Sequence, residues 1–233
     1  MDPIIYNSIV AVVELVYTFF IVRLTDILVK RKKLSQDMSR KIVHLWAGGL
    51  LFFWFFYAEP YAQYFFITTP LIWVFLMLYT GLFKGPDDPN VRSMTRKNDP
   101  HELLFGPLFF VIMMIVFTFI SFKTIAGVAA LSAMGFGDGI APIIGKSSKM
   151  KFMHGRKSVE GSASVFLATL VGIFVIALLF GSSMGFKPTA FNIEMLIIAA
   201  LIGTIVEAIT PSNYDNITVP IIVWLFLIFV LPS

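Results

Sequence analysis

The residue that most suggests chemistry is Asp138, a carboxylate inside an apolar segment. The neighbouring Gly137 and Gly139 let the backbone approach a ligand closely. Five cations follow within twenty residues: Lys146, Lys149, Lys151, Arg156 and Lys157. A metal-bound phosphate ester needs this combination, because a carboxylate holds the cation while basic side chains bind the phosphate oxygens. The block therefore predicts phosphoryl or nucleotidyl transfer at a membrane.

Two earlier segments carry further polar residues. Arg40 and His44 are four positions apart, so they share one face of a helix. Glu102 opens a later apolar segment. Each has a structural alternative: Arg40 and His44 would reach water from the membrane interface, and Glu102 would be an acid at the positive end of a helix. Both interpretations stay open from the sequence alone.

A fourth segment contains Glu207, Asp215 and Asn216. Their oxygens suit magnesium, which usually takes one or two carboxylates together with substrate phosphates. An ordinary Asn/Asp turn is the alternative, but together with Asp138 these residues predict a metal site, with Asp138 and Asp215 as ligands. Glu14, in the first apolar segment, either pairs with a polar partner or faces a water-filled cleft.

These residues belong to a strongly apolar chain of 233 residues, of which 58% are hydrophobic and 14% are charged. That composition excludes an ordinary soluble domain, and the absence of cysteine excludes disulfides and thiolate metal sites. Several of its apolar segments reach the ~20 residues that cross a bilayer as a helix. We predict one all-α domain over 1–233, a bundle of seven or eight transmembrane spans. The segments are 4–22, 42–58, 61–83, 103–120, 124–145, 160–181, 192–209 and 217–232.

Charge is distributed very unevenly among the loops. Sixteen of the 18 Lys and Arg residues fall in the first, third and fifth loops, and only Lys123 and Lys187 lie opposite. The positive-inside rule makes the basic side cytoplasmic, so we expect the active site of an integral membrane protein to face the cytoplasm, with membrane lipids around it. No nucleic-acid-binding pattern is present, because the aromatic residues lie mostly in the spans.

Five motifs resemble, in the same order, those of the polyprenol kinase family over about residues 40 to 220. That family groups dolichol kinases, phytol and related prenol kinases, and CTP-dependent diacylglycerol kinases. Any one motif is weak, but five in order on one predicted side are fairly specific. The motifs are Arg40-Lys-x-x-His44, Glu102-Leu-Leu-x-Gly-Pro-Leu108, Gly137-Asp138-Gly-x-Ala141-x-x-x-Gly145-Lys146, Arg156-Lys157-Ser158-x-x-Gly161-Ser162 and Asp215-Asn216-x-Thr218-Val219-Pro220.

The resemblance implies an enzyme that uses CTP and Mg²⁺ to phosphorylate a lipid alcohol and releases CDP. Asp138 would hold the metal with Asp215, and the proton of the alcohol would pass to His44, Glu102 or Asp138. The residues expected to bind the nucleotide and its phosphates are Arg40, Gly137, Gly139, Gly145, Lys146, Arg156, Lys157, Ser158, Glu160, Gly161, Ser162 and Asn216. The acceptor stays open among dolichol or polyprenol, phytol or geranylgeraniol, farnesol and diacylglycerol.

Two other functions remain as alternatives. Glu160 before Gly161 is similar to the phosphatidate cytidylyltransferase signature, which keeps a CTP:phospholipid cytidylyltransferase open. A membrane transporter would also use broken spans and buried acids. Against the transporter, the sequence has no internal symmetry, and its polar residues cluster at one interface.

Overall fold

The computed structural model describes residues 1–145, 151–152, 157–211 and 213–231. The chain forms two compact units, Met1–Ile120 and Ser121–Ser233, called unit 1 and unit 2 below. Among the described residues, both units are built from helices joined by short connections.

Unit 1 contains six α-helices and two short 3₁₀-helices. Its fully buried core includes Trp54, Phe66 and Phe117. The elements are α1 (Pro3–Lys30), α2 (Gln36–Gly48), a 3₁₀-helix (Gly49–Phe55), α3 (Ala62–Phe66), α4 (Thr68–Phe83), α5 (Pro89–Met94), a second 3₁₀-helix (Pro100–Leu104) and α6 (Gly106–Ile120).

In its described part, unit 2 contains five α-helices, a π-helical turn and a two-stranded antiparallel ribbon. Leu131, Ile173 and Leu196 belong to its buried core. The elements are α7 (Ile125–Ser132), the π-helix (Ala133–Gly137), α8 (Asp138–Gly145), β1 (Lys151–Phe152), β2 (Lys157–Ser158), α9 (Val159–Phe180), a 3₁₀-helix (Gly181–Met184), α10 (Ala190–Ile209) and α11 (Asp215–Val230).

Each of the eight predicted apolar segments coincides with helical structure. Within the described ranges, five stretches are long and apolar enough to cross a membrane: Pro3–Lys30, Ala62–Phe83, Pro100–Ile120, Val159–Met184 and Ala190–Ile209. Two shorter apolar helices span Ile125–Ile140 and Asp215–Val230, and the predicted segment 42–58 falls on α2 and the 3₁₀-helix after it. The helical membrane architecture is confirmed, whereas a count of seven or eight spans stays a prediction.

The outer faces of these helices are apolar. Leu178 on α9 is 86% exposed, and Phe229 on α11 is 82% exposed. Large exposed apolar side chains around a helical bundle are expected when the surrounding solvent is lipid rather than water.

Polar side chains near the start of α1 are paired inside unit 1. Asn7 donates from Nδ2 to the carbonyl of Ala58 at 2.8 Å and accepts the backbone N–H of Ala58 at Oδ1, also at 2.8 Å. The fully buried Glu14 accepts a hydrogen bond from the Tyr57 hydroxyl at Oε2. Of the two possibilities for Glu14, the structure shows a polar partner, and these contacts fasten α1 to the segment after α2.

Helices begin where the sequence supplies a side-chain acceptor. Asp2 accepts from the N–H of Ile4 at 2.7 Å, and Thr124 accepts from the N–H of Gly127 at 3.1 Å. Such caps satisfy N–H groups that have no partner within the first helical turn. The backbone starts of α1 and α7 are therefore set by local chemistry as well as by packing.

Asp99 caps the 3₁₀-helix that precedes α6. Its Oδ1 accepts the backbone N–H of His101 at 3.0 Å and lies 3.1 Å from His101 Nδ1. These hydrogen bonds, the backbone one first, hold the pKa of the Asp99 carboxyl below its usual value. The stabilisation is present above the ordinary pKa and is lost as the pH falls through the lowered one.

Candidate active site

Asp138 is the first residue of α8, directly after the π-helical turn. This turn packs tightly against α9: a Cβ on Gly137 would lie 2.5 Å from Thr169 Oγ1, and one on Gly172 would lie 2.5 Å from Phe136 Cδ2. A larger residue at either position would force the side chain of Thr169 or Phe136 to move, so glycine permits this close approach. A π-turn is often found at functional sites, and here it fixes where α8 begins.

The carboxylates of Asp138, Glu207 and Asp215 meet in unit 2. One oxygen from each lies within 4.8 Å of an oxygen from the others. Glu207 is only 4% exposed and Asp215 only 6%, whereas Asp138 is half-buried. Ionised carboxylates this close repel one another, so the cluster requires compensating positive charge.

Close packing between α10 and its neighbours brings Glu207 into the cluster. One turn before Glu207, a Cβ on Gly203 would lie 3.0 Å from Val223 of α11 and 3.3 Å from Ala133 of the π-helix. Residues four apart share a helix face, so Gly203 and Glu207 both face these elements. The small residue lets α10 approach closely enough for Glu207 to reach Asp138 and Asp215.

A tight turn positions Asp215 at the start of α11. Asn213 adopts a left-handed conformation with φ of 85°, and Asp215 Oδ1 accepts the backbone N–H groups of Asn213 and Asn216, each at 3.1 Å. One carboxylate oxygen is therefore used to hold the turn. The other, Oδ2, lies 4.0 Å from Lys157 Nζ.

Lys157, on strand β2, supplies positive charge to the cluster. Its ammonium group donates to the carboxylate Oε1 and to the backbone carbonyl of Glu207. The cluster thus combines three carboxylates with the ammonium group of Lys157. The donor set consists of carboxylate oxygens, which are the ligands that hard divalent cations such as Mg²⁺ prefer. Donor chemistry and spacing thus both fit a divalent cation.

The start of α9 follows Lys157 directly. Ser158 is buried, and its hydroxyl accepts the N–H of Gly161 at 3.1 Å, so Ser158 is the N-cap of this helix. Glu160 and Ser162 lie in the first turn of α9, and Ser162 Oγ is buried with no hydrogen-bond partner among the described residues. A helix start with available donors can receive an anion. This places part of the predicted phosphate-binding motif beside the carboxylates.

Some of the remaining predicted site residues of unit 2 are described by the structure, and others are not. Gly139 and Gly145 lie within α8, and Asn216 is buried at the start of α11, next to Asp215. Lys146 and Arg156 lie outside the described residues, so their predicted phosphate contacts stay predictions. The structure therefore assembles Asp138, Lys157, Asp215 and Asn216 in one unit.

The other predicted site residues belong to unit 1. Arg40 and His44 lie on α2, and the His44 ring meets that of Phe110 edge-on, with 4.7 Å between ring centroids. Glu102 Oε2 accepts the backbone N–H of Arg96 at 2.6 Å. This contact holds the loop before α6, and a catalytic role for Glu102 stays a prediction.

The sequence predicted Asp138 and Asp215 as the metal ligands and named Glu207 only as a suitable oxygen donor. The position of Glu207 in the sequence could have indicated that it lies beside Asp215. Glu207 ends one apolar helix and Asp215 begins the next, with Thr210-Pro211 in the turn between them. Acids on both sides of a short helix–helix turn come close together when the two helices pack side by side.

Membrane-length helices and a compact buried acidic site define this chain as a helical membrane protein with a candidate cation-binding centre. It is similar to probable phytol kinase 1, chloroplastic, of Glycine max, with 34% identity covering 94% of this chain and 76% of the relative. The corresponding Oryza sativa subsp. japonica protein is 34% identical, covering 87% and 67%. Phytol kinase 1, chloroplastic, of Arabidopsis thaliana is 36% identical, covering 83% and 66%.

The chain therefore belongs to the phytol kinase family, as the order of its motifs predicted. No family model matches the chain, and no solved structure matches it.

Proposed function

We propose that this protein is a CTP-dependent and Mg²⁺-dependent kinase that phosphorylates the hydroxyl of a long-chain isoprenoid alcohol. Its family membership supports an isoprenoid alcohol kinase, and relatives named phytol kinase favour phytol or geranylgeraniol over dolichol as the acceptor. The observation that carries the proposal is the cluster of Asp138, Glu207 and Asp215, since phosphoryl transfer depends on held cations and positioned charges.

The balanced reaction is simple. The hydroxyl oxygen of the alcohol attacks the γ-phosphorus of CTP, the bond from that phosphorus to the β-phosphate oxygen breaks, and CDP leaves. The hydroxyl proton passes to a base on the protein or to water. The products are the lipid monophosphate and CDP, and no oxidant or reductant is needed.

Three carboxylates would hold the cation, which when bound neutralises phosphate charge. Asp138 is the most exposed of them and so faces the entering nucleotide, while Glu207 and Asp215 are buried behind it. Lys157 lies beside Glu207 and Asp215 and would share its charge with a phosphate oxygen. Ser162 and the N–H groups at the start of α9 would bind a terminal phosphate.

The contacts of His44, Glu102 and Asp138 help to choose among these three candidate general bases. Asp138 belongs to the acidic cluster, and Glu102 is engaged with the backbone of Arg96. Histidine is the side chain that most often serves as a general base in enzymes. We assign His44 as the favoured base. The charge asymmetry of the loops supports a nucleotide site on the basic side of the membrane, and the positive-inside rule favours the cytoplasm for that side.

The direct test is to identify both products made by the purified full-length chain. Labelled CTP or ATP is incubated with Mg²⁺ and, in separate reactions, phytol, geranylgeraniol, a dolichol, diacylglycerol and phosphatidate. The proposal predicts CDP and a prenyl monophosphate with phytol or geranylgeraniol, and less product from ATP. Phosphorylated diacylglycerol as the product would show that the protein is a diacylglycerol kinase. Pyrophosphate together with a CMP-bearing lipid would show that it is a cytidylyltransferase. If no lipid product forms with either nucleotide, the kinase proposal is wrong and transport becomes the next function to test.

A further inference from the structure

Unit 1 contains a cavity lined by residues of α1, α2, the 3₁₀-helix after α2, α4, α5 and α6. Its lining is aliphatic and aromatic except for Thr18, Arg40 and His44. The residues that line the cavity all belong to unit 1.

One end of the cavity is polar. Arg92 Nε donates to Asp26 Oδ1 at 2.8 Å, which ties α5 to the last part of α1, and Ser39 Oγ donates to the carbonyl of Ser93 at 2.9 Å, which ties α5 to the start of α2. Arg40 follows Ser39 directly, so it lies at this end. His44 lies one turn further along α2.

Away from this polar end, apolar side chains of α4 and α6 line the cavity. Along α6 the lining extends from Pro107 to Met114, and along α4 from Met77 to Pro70. At 1.5 Å per helical residue, each stretch corresponds to a depth of about 10 Å. The hydroxyl of Thr18 is already hydrogen-bonded, because it accepts from Trp73 Nε1 at 2.9 Å and donates to the Leu15 carbonyl at 2.9 Å. Thr18 therefore adds little polarity to this part of the cavity.

A cavity with a basic, hydrogen-bonding end and a long apolar interior matches a hydrocarbon alcohol. We propose that it binds the acceptor of the reaction, with the prenyl chain along α4 and α6 and the hydroxyl end toward Arg40 and His44. This inference rests on the proposed function, and it adds that residues of unit 1 select the acceptor by chain length. Ala47, which lines the cavity with a small side chain, would set the space available for the chain.

The kinetic test compares Ala47→Trp with Val16→Trp. Ala47 lines the cavity, whereas Val16 is 62% exposed on the outer face of α1, so the second variant controls for a new tryptophan in unit 1. For Ala47→Trp we expect kcat/KM with phytol to fall at least about tenfold through a higher KM, as overpacking a filled site predicts. Activity with a short prenol such as geraniol should stay within about threefold, and Val16→Trp should change neither value. An unchanged ratio of long-chain to short-chain activity in Ala47→Trp would overturn the inference.

Photolabelling of the wild-type chain keeps the inference testable if Ala47→Trp fails to fold. A geranylgeraniol analogue with a diazirine in its chain should label peptides containing Trp73–Met77 and Phe110–Met114, and excess phytol should suppress this labelling. Labelling spread over the outer helix faces, or suppressed equally by phosphatidylcholine, would show a general lipid surface instead. If cavity labelling occurs but no prenol is phosphorylated, the proposed function fails while alcohol binding stands.

Discussion

Two acidic groups in this chain differ in composition: one is a single carboxylate with two cations, and the other is a cluster of three carboxylates. In unit 1, Asp26 is contacted by two cations, Arg92 at 2.8 Å and Lys30 at 3.1 Å. In unit 2, three carboxylates lie together, and Lys157 contacts Glu207 and lies 4.0 Å from Asp215. A buried charge is tolerated only when it is compensated, so a cluster of three carboxylates suits a cation-binding site better than one carboxylate that already has two cations.

This difference separates a structural ion pair from a candidate catalytic centre. The Asp26 group joins α1 to α5 and so helps to shape the polar end of the cavity. The Asp138 group collects acids from α8, α10 and α11 at a point where the sequence also supplies basic residues. Three substitutions test the distinction, and a fourth tests the role of Glu102.

Asp138→Asn should have the largest effect on catalysis. It preserves size but removes the most exposed carboxylate of the cluster, so we expect turnover to fall by roughly 10²-fold or more at saturating CTP. Glu194→Gln, on the exposed surface of α10, is the matched control and should keep wild-type activity. Prenyl phosphate formation measures both. Near-normal turnover in a folded Asp138→Asn protein would remove this residue from the site.

Glu207→Gln should raise the magnesium requirement. The amide keeps one oxygen ligand but loses the charge that helps hold the cation, so we expect the Mg²⁺ concentration at half-maximal rate to increase about 10- to 100-fold. Magnesium titrations of the rate measure it, again against Glu194→Gln. If the magnesium curve does not move, Glu207 serves only as the partner of Lys157.

Asp26→Asn should change stability rather than magnesium dependence. Removing one member of a buried ion pair costs about 3 kcal/mol, mainly because Arg92 loses its close partner. Asp87→Asn is the control, since exposed Asp87 lies 3.9 Å from the same arginine and its loss should leave stability unchanged. Unfolding by SDS titration checks both variants. A shifted magnesium curve in Asp26→Asn would contradict the division between the two acidic groups.

Glu102→Gln should have the smallest effect. The amide oxygen of glutamine can still accept the Arg96 N–H, so we expect turnover within about threefold of wild type. Glu102→Ala removes the acceptor and should lower thermal stability, with the glutamine variant restoring it. A loss of about 10²-fold or more in Glu102→Gln, with stability intact, would instead indicate a general base.

The sequence predicted the helices well because their apolar segments are long and are separated by charged loops. Every predicted segment coincides with helix, and the motif order predicted the family. The N-cap of α9 at Ser158 is predictable for a related reason, because its hydrogen bond joins residues that are close in sequence.

Features that depend on contacts between distant segments were harder to predict. The π-turn before Asp138 depends on the fit of Gly137 against Thr169, and Glu207 reaches the cluster because Gly203 packs against Ala133. The partnership of Glu14 with Tyr57 is of the same kind. None of these pairs is adjacent in sequence, so periodicity and composition carry no signal for them.

Asp138, Glu207 and Asp215 should together form one divalent-cation site. Mn²⁺ binding, followed by electron paramagnetic resonance on the full-length protein with and without CTP, tests it most directly. We predict one tightly bound Mn²⁺ in the wild type and in Asp26→Asn, and much weaker binding in Asp138→Asn and Glu207→Gln. Equal Mn²⁺ binding by all four proteins would contradict the account.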